Sequence, residues 1–242
     1  MTTIPDSQGL SSQGLSVHGL TKVYGRVRAL DGLDLSLPPG HIVGLMGDNG
    51  AGKTTLLKVL AGVTADWEGE VSLLGHRPGV DTKQSVSFLP DQSFLPDGQR
   101  PGDAIAQYAD FFADFDADRA RDLVDFYQLP SDRRLKEMSK GMREKVQIAL
   151  AMARRARVYL LDEPVGGVDP AARSILMEGI LKHFEPDQLL IISTHLIHDL
   201  EPVIDTVVFL HRGRVRLQGD ADELRAAYKT DLEGLFRKVY LP

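Results

Sequence analysis

The fold of this chain is decided by the stretch Gly47-Asp48-Asn49-Gly50-Ala51-Gly52-Lys53-Thr54-Thr55. It matches the phosphate-loop pattern, in which a glycine is followed by four residues, Gly-Lys and then Ser or Thr. The flanks agree, since Ile42–Met46 is typical of a short buried strand and Thr55–Ala61 of a helix that ends at Gly62. The sequence therefore predicts a strand, a loop and a helix in direct succession.

This arrangement suits the binding of a nucleoside triphosphate. Glycines let the backbone curve closely around phosphates with its N–H groups pointing inward. The N-terminus of the helix behind the loop adds a partial positive charge. We expect Lys53 to reach the β- and γ-phosphates and the Thr54 hydroxyl to ligate Mg²⁺. An accidental glycine-rich turn is the alternative, and the flanking strand and helix argue against it.

Two adjacent carboxylates follow another apolar run. Val158–Leu161 is continuously apolar and is followed by Asp162 and Glu163, as expected for a parallel strand covered on both faces. Beside a phosphate loop, Asp162 would hold the hydration shell of Mg²⁺, and Glu163 would orient or deprotonate the water that attacks the γ-phosphate. An acidic turn after a strand is the plain alternative, and the phosphate loop favours the catalytic interpretation.

The composition limits the class of protein. The chain has 242 residues, of which 43% are hydrophobic and 26% charged, enough for one domain with a subdomain. A net charge of −6 leaves no basic excess for nucleic acid, so we expect no nucleic-acid partner. The absence of cysteine excludes disulfides, thiolate zinc sites and thiol catalysis. The longest apolar runs, Leu189–Ile192 and Thr206–Leu210, are too short to span a bilayer, and the N-terminus lacks the pattern of a signal peptide.

Strand patterns surround the two motifs. Val17–Leu37 alternates apolar and polar residues with glycine and aspartate between them, which predicts antiparallel strands and hairpins. Residues 1–15 are rich in Ser, Gln, Gly and Thr, and we expect a flexible N-terminal tail there, followed by a single domain over 16–242. Further strands and a closing hairpin are predicted at Glu70–Leu74, Ser85–Leu89, Leu189–Ile192, Val207–Leu210 and Val215–Leu217.

Helical spacing replaces the strand patterns after Pro101. Residues 102–129 carry an apolar stripe that we expect to lie in the core, with a break at Asp114–Asp116, and Asp103 suits the start of the first helix. The members of the stripe are Ile105, Tyr108, Phe111, Phe112, Leu123, Phe126 and Tyr127. Further helices are predicted at Lys140–Arg155, Ala221–Tyr228 and Leu232–Val239. The predicted fold is α/β, a P-loop NTPase core of mostly parallel sheet, with an antiparallel β subdomain and a helical subdomain inserted at about 95–156.

The order of these motifs resembles the ATP-binding cassette, the nucleotide-binding domain of ABC transporters, from Val17 to the end of the chain. The resemblance identifies Tyr24, in Lys22-Val23-Tyr24-Gly25, as the aromatic residue that stacks on adenine. It identifies His195, in Ser193-Thr194-His195, as the switch histidine that contacts the γ-phosphate. Asp169 matches the loop that crosses the dimer interface, and before Pro170 it also suits a helix N-cap.

The family's signature motif lies at Met138-Ser139-Lys140-Gly141-Met142, in place of the usual Leu-Ser-Gly-Gly-Gln. Ser139 suits the cap of the helix that follows, and Gly141 allows close approach of a phosphate. The resemblance implies that this phosphate belongs to ATP on a second cassette subunit. It implies an ATP- and Mg²⁺-dependent dimer, identical or mixed, that drives a membrane permease from the cytoplasmic face.

The chain departs from the family at two places. Lys140 and Met142 replace Gly and Gln in the signature. In the Q-loop, Asp91 follows Pro90 where the family has Gln, and Gln92 comes one place late. We take Asp91 as the equivalent, a carboxylate that reaches Mg²⁺ or its water, with Gln92 as the alternative.

These departures, with Leu232-Glu233-x-x-Phe236, resemble bacterial export-type cassettes whose permease is a separate protein. Two other functions stay open from the sequence, a soluble cassette ATPase outside transport and a regulatory ATP-binding module without turnover.

Overall fold

Residues 14–240 form nine β-strands and eight α-helices in the computed structural model, which describes these residues apart from the side chain of Ala171. The strands are β1 (Leu15–Tyr24), β2 (Val27–Leu37), β3 (Ile42–Met46), β4 (Glu68–Leu73), β5 (Val86–Leu89), β6 (Val158–Asp162), β7 (Leu189–Thr194), β8 (Thr206–His211) and β9 (Arg214–Asp220). The helices are α1 (Lys53–Leu60), α2 (Pro101–Phe111), α3 (Ala117–Phe126), α4 (Lys140–Met152), α5 (Pro170–Leu181), α6 (Ile197–Leu200), α7 (Ala221–Tyr228) and α8 (Leu232–Tyr240).

The larger sheet has six strands in the order β5-β6-β7-β3-β8-β9. The first five run parallel, and β9 closes the sheet antiparallel to β8. All residues of β6 and β7 are buried, because helices and the second sheet cover both faces. The continuous apolar runs in the sequence have this origin, and the prediction of a mostly parallel sheet is confirmed.

The smaller sheet is antiparallel, with the order β2-β1-β4. Buried and exposed residues alternate along β2, so one face packs inward, as the alternating sequence predicts. Its apolar residues share a core with α1 and the strands of the larger sheet. The antiparallel subdomain is thereby fixed against the phosphate loop.

Three helices of the insertion, α2 to α4, lie between β5 and β6. Asp103 accepts a hydrogen bond from Arg100 N at the start of α2, as predicted. The predicted break at Asp114–Asp116 separates α2 from α3, and Asp116 caps α3 by accepting from Asp118 N and Arg119 N. Phe111 is 74% exposed, so the prediction that this member of the apolar stripe lies in the core is wrong. It lies at the last residue of α2, where the chain turns away from the core.

Several predicted boundaries shift, among them that of β4, which spans Glu68–Leu73 where Glu70–Leu74 was predicted. The helix after the phosphate loop begins at Lys53 and not at Thr55, because Leu56 N already donates to Gly52 O at 2.9 Å. Helix α4 ends at Met152, before Arg155, because the chain turns there to bring the Arg154 side chain to Asp114. The proposed tail, 1–15, lies mostly outside the described residues, but Leu15 is buried in β1 between Leu37 and Leu73.

The last two helices of the described residues, α7 and α8, pack on the larger sheet. Helix α7 has the predicted bounds, and α8 extends one residue further, to Tyr240. Phe236 and Tyr240 of α8 pack edge-on against Phe209 of β8. Among the described residues, no helix combines the length and the apolar character that crossing a bilayer requires.

A largely buried ion pair within the insertion also ties the insertion to the segment before β5. Arg154 is 5% exposed, and its Nε lies 2.8 Å from both carboxylate oxygens of Asp114. Its Nη2 donates to Lys83 O at 3.2 Å, just before β5. We expect Arg154→Ala to lower the free energy of unfolding by about 3 kcal/mol, because removal of one partner leaves a partly buried carboxylate unpaired.

Urea unfolding measures this effect. Arg155→Ala is the matched control, since the neighbouring Arg155 makes its pair with Asp116 while largely exposed, and exposed pairs contribute little. Equal midpoints for the two variants would contradict the structural role of Arg154.

Candidate active site

The carboxyl ends of four parallel strands meet at one edge of the larger sheet. The register pairs Met46 of β3 with Thr194 of β7, and Asp162 of β6 with Ser193 of β7. Leu89 of β5 pairs with Leu161, one residue before Asp162. The residues that follow these strand ends therefore lie side by side, and they are the phosphate loop, the Q-loop Asp91, Glu163 and His195.

The phosphate loop needs its glycines for two different reasons. Gly50 and Gly52 have φ values of 82° and 109°, in the region that other residues avoid. A Cβ at Gly52 would lie 2.6 Å from Ala29 O, and one at Gly47 would lie 2.4 Å from Leu210 O. Neighbouring backbone thus leaves no room for a side chain at Gly47 or Gly52. Helix α1 begins directly after the loop, at Lys53.

The Lys53 ammonium is buried at the centre of the loop. Its Nζ donates to Gly47 O at 2.7 Å and lies 3.2 Å from Glu163 Oε1. The lysine therefore bridges the loop and the carboxylate that follows β6. Glu163 is the counter-ion of this buried cation.

Glu163 connects Lys53 to the switch histidine. Its Oε2 lies 2.8 Å from His195 Nδ1, on the far side of the carboxylate from the lysine. Its backbone has φ 49°, a strained value for a residue with a side chain. Its amide N–H donates to Ser193 Oγ at 3.0 Å, which holds the strained turn in place.

Asp162 is the most buried of the acidic residues in the site. It is 1% exposed, and Ser193 Oγ donates to its Oδ1 at 2.5 Å, while Oδ2 is buried with no hydrogen-bond partner in the protein. Burial raises the pKa of Asp162, the hydroxyls of Ser193 and Thr54 lower it, and the nearby carboxylates of Asp91 and Glu163 raise it. A carboxylate in this position is suited to a cation, which would satisfy the orphaned oxygen.

The donor set fits Mg²⁺ better than a metal held by protein alone. Within residues 14–240, no group of three or more His, Cys, Asp or Glu side chains is placed to hold a metal ion. Mg²⁺ prefers one or two carboxylates together with substrate phosphates and waters. Asp162, the Thr54 hydroxyl and a bound triphosphate would supply that set.

Sequence reasoning missed Ser193, which serves both Asp162 and Glu163. The available signal was its place at the end of an apolar strand, directly before Thr194 and His195. Its side chain sits between two parallel strand ends, which only the β6–β7 register reveals.

A cavity of about 330 Å³ opens over the phosphate loop. It is lined by the loop residues from Asp48 to Thr55, by Asp91 and Glu163, and by one wall of the antiparallel subdomain formed by Val27, Arg28 and Ala29. This wall was also missed from the sequence. Arg28 is held by Asp31, 2.8 Å away, and the pair raises the pKa of Arg28 and lowers that of Asp31.

Tyr24 lies beside this wall and not in the lining. It pairs across the β1–β2 hairpin with Val27, and its ring is 46% exposed. The Lys22 ammonium lies 5.0 Å from the ring centroid. The Tyr24 ring thus contacts the Lys22 ammonium. Tyr24 lies next to the cavity because its partner across the hairpin, Val27, lines it.

Asp91 and Gln92 differ clearly in position. Asp91 lines the main cavity and also a second cavity of about 20 Å³, the inner cavity, while Gln92 lines neither. The inner cavity is lined by Leu89, Pro90, Asp91, Glu144, Gln147, Ile148, Asp162, Glu163 and Pro164. Of these two residues, Asp91 is therefore the one that lies near Asp162.

The remaining expected residues lie away from the phosphate loop. Ser139 caps α4 by accepting from Met142 N at 3.2 Å, as predicted. Gly141 has open space where a side chain would stand. Asp169 is exposed and directly precedes Pro170, the first residue of α5. None of these three lines the cavity over the phosphate loop.

Comparison with known proteins agrees with this geometry. The sequence model described as ABC transporter matches residues 30–166, more than half of the chain. The chain is 31% identical to the Nod factor export ATP-binding protein I of Ralstonia nicotianae over 229 residues, which are 91% of this chain and 71% of that protein. It is 32% identical to the sulfate/thiosulfate import ATP-binding protein CysA of Methylococcus capsulatus over 234 residues, 87% of this chain and 64% of that one.

A solved structure described as the ATP-binding subunit of an ABC transporter superposes with a TM-score of 0.81. It is 28% identical, and the match covers 94% of this chain and 99% of the other. The predicted cassette fold is thereby confirmed. The family match includes the phosphate loop and the acidic residues at the end of β6. This chain therefore belongs to the ABC transporter family as an ATP-binding subunit.

Proposed function

We propose that this protein hydrolyses ATP with Mg²⁺ at a site completed by a second cassette subunit, and that the cycle drives a separate membrane permease in export. The chain of contacts from Lys53 through Glu163 to His195 carries this proposal. In this proposal Lys53 is the phosphate-binding cation, Glu163 is the base and His195 is the positioning group, and the contacts between neighbours in this series support these roles.

Binding of ATP would change the partner of Lys53. The triphosphate competes with Glu163 for the buried ammonium, and phosphate oxygens bind it in a charge-assisted manner. The backbone N–H groups of the loop and the N-terminus of α1 bind the same phosphates. Glu163 is then released from its counter-ion role and is available to the attacking water.

Glu163 acts on the water, and His195 holds Glu163. A carboxylate freed from Lys53 accepts the proton of the water or orients it toward the γ-phosphate. His195, 2.8 Å from the other carboxylate oxygen, keeps the side chain directed at the loop. His195 is also proposed to contact the γ-phosphate, the role that the resemblance to the family implies.

Asp162, Thr54 and Asp91 are the residues that would hold Mg²⁺. The orphaned Oδ2 of Asp162 supports this assignment, and Asp91 lies close enough to affect the pKa of Asp162. When bound, Mg²⁺ neutralises charge that develops on the phosphates. Ser193 keeps Asp162 oriented from behind.

The second half of the site is proposed to come from a partner cassette, identical or different. Ser139, Gly141 and Asp169 have no part in this chain's own cavity, and the first two leave the N-terminus of α4 open to an approaching phosphate. Tyr24 is proposed to support adenine from the rim of the cavity, because it is exposed and pairs with Val27 of the cavity wall.

We propose a peripheral position at the cytoplasmic face of the membrane. The domain would span 16–242 with its helical subdomain at about 95–156, and no nucleic acid would take part. Export is favoured by the relative named for Nod factor export, while the relative named for sulfate import means that direction needs a direct measurement.

Two variants separate binding from hydrolysis. We expect Lys53→Ala to weaken ATP binding roughly tenfold or more, because the buried cation proposed to bind the phosphates is removed.

We expect Glu163→Gln to bind ATP at least as tightly as the wild type, because Lys53 loses its competing counter-ion, and to hydrolyse it roughly a thousandfold more slowly. Calorimetric titration and phosphate release measure both. Wild-type turnover in Glu163→Gln would remove Glu163 as the base.

Asp91→Ala tests the Q-loop assignment, with Gln92→Ala as its matched neighbour. We expect the first to lower Mg²⁺-dependent turnover roughly tenfold and to raise the Mg²⁺ concentration needed for half-maximal rate, because a metal-side carboxylate is lost. Gln92→Ala should behave like the wild type. The reverse pattern would assign the role to Gln92.

A membrane partner is tested by extraction of the tagged chain from membranes of its host. We expect a protein with several membrane spans in a fixed ratio, and the pair reconstituted into vesicles should move substrate away from the side where ATP is added. Movement toward that side would show import. Recovery of the chain without a membrane protein would favour the soluble ATPase class.

A further inference from the structure

The signature helix and the loop after Glu163 meet at Gly167. A Cβ built on Gly167 would lie 2.1 Å from Lys140 Nζ and 2.5 Å from Glu144 Oε1. The φ of Gly167 lies outside the left-handed region, so its backbone does not require glycine. The glycine is needed for space, which the ends of two charged side chains of α4 occupy.

Lys140 and Glu144 form an ion pair over this glycine. Their charged atoms lie 3.6 Å apart, one helical turn from each other, with side chains 70% and 20% exposed. An exposed pair of this kind adds little to a helix. The position of the pair is more informative than its strength, because both charged ends lie against Gly167 in the segment that joins Glu163 to Asp169.

Glu144 also lies beside the acidic residues of the candidate active site, on the buried side of helix α4. Its Oε2 is buried with no hydrogen-bond partner in the protein, and burial raises its pKa. The residue lines the inner cavity together with Asp91, Asp162 and Glu163. At about 20 Å³ this cavity has the size of one water molecule. Glu144 is thus in contact with the loop on one side and with the space behind the catalytic carboxylates on the other.

We propose that Lys140, Glu144 and Gly167 form an ionic latch that fixes the loop 163–169 against the signature helix of the same subunit. Lys140 and Glu144 are then positioning residues for Glu163, a role that rests on the proposed function. The latch also explains Lys140 at a signature position where the family has glycine. Its ammonium is directed into its own subunit, over a glycine that leaves room for it.

The latch is tested by ATP hydrolysis under single-turnover and steady-state conditions in the whole protein. We expect Lys140→Met, Glu144→Gln and Gly167→Ala each to lower the rate constant roughly tenfold, while the ATP concentration for half-maximal rate stays within about twofold of the wild type. Gly167→Ala displaces only the flexible ends of two side chains, and Lys140→Met changes a side chain that is largely exposed. Both variants should therefore fold.

Coupling between the residues separates a latch from general damage. The double variant Glu144→Gln/Gly167→Ala should lose no more than its worse single parent, because both changes open the same contact. Gly98→Ala, where a Cβ meets nothing within 4 Å, and Lys136→Met, an exposed lysine nearby, are the matched controls with wild-type rates.

The proposal is overturned by wild-type rates in the three single variants, or by losses that multiply to roughly a hundredfold in the double variant. Glu163→Gln in the same assay distinguishes the two levels. If that variant hydrolyses ATP normally, the proposed function itself fails. If it is inactive while the three variants match the wild type, only the latch fails.

Discussion

The parallel alignment of β3, β7, β6 and β5 is the constraint on which the site depends. Parallel strands place all their carboxyl ends at one edge, so four separate segments of the chain deliver their next residues to the same place. Ser193 secures the alignment at its centre, because its hydroxyl donates to Asp162 and accepts from the amide of Glu163. A shift of one residue in this register would remove Ser193 from its contacts with Asp162 and Glu163.

Lys53 and Glu163 form an ion pair at this edge of the sheet. Lys53 is buried and would be costly without a counter-ion, and Glu163 supplies one at 3.2 Å. The same carboxylate lies beside His195. A triphosphate that displaces Glu163 from Lys53 would therefore change two contacts at once, and this exchange links phosphate binding to the position of the base.

Glycine has two distinct tasks in this protein. In the phosphate loop, Gly52 is needed for both its φ of 109° and the nearby Ala29 carbonyl. At Gly167 the backbone is ordinary, and only the ends of Lys140 and Glu144 exclude a side chain. The need for glycine at this second position arises from a tertiary contact between helix α4 and the loop after Glu163.

The sequence by itself determined the phosphate loop, the acidic end of β6, the parallel core and the cassette family, because these depend on local patterns of glycine, charge and apolar runs. The prediction of a flexible tail was wrong for Leu15, which is buried, and the prediction of a core position was wrong for Phe111, which is exposed. Neither periodicity nor composition states which other segments cover a given residue. The role of Ser193, the Arg28 wall and the contact at Gly167 were decided only by the tertiary structure. Each depends on strand register or on the packing of segments far apart in the chain, which no short stretch of sequence encodes.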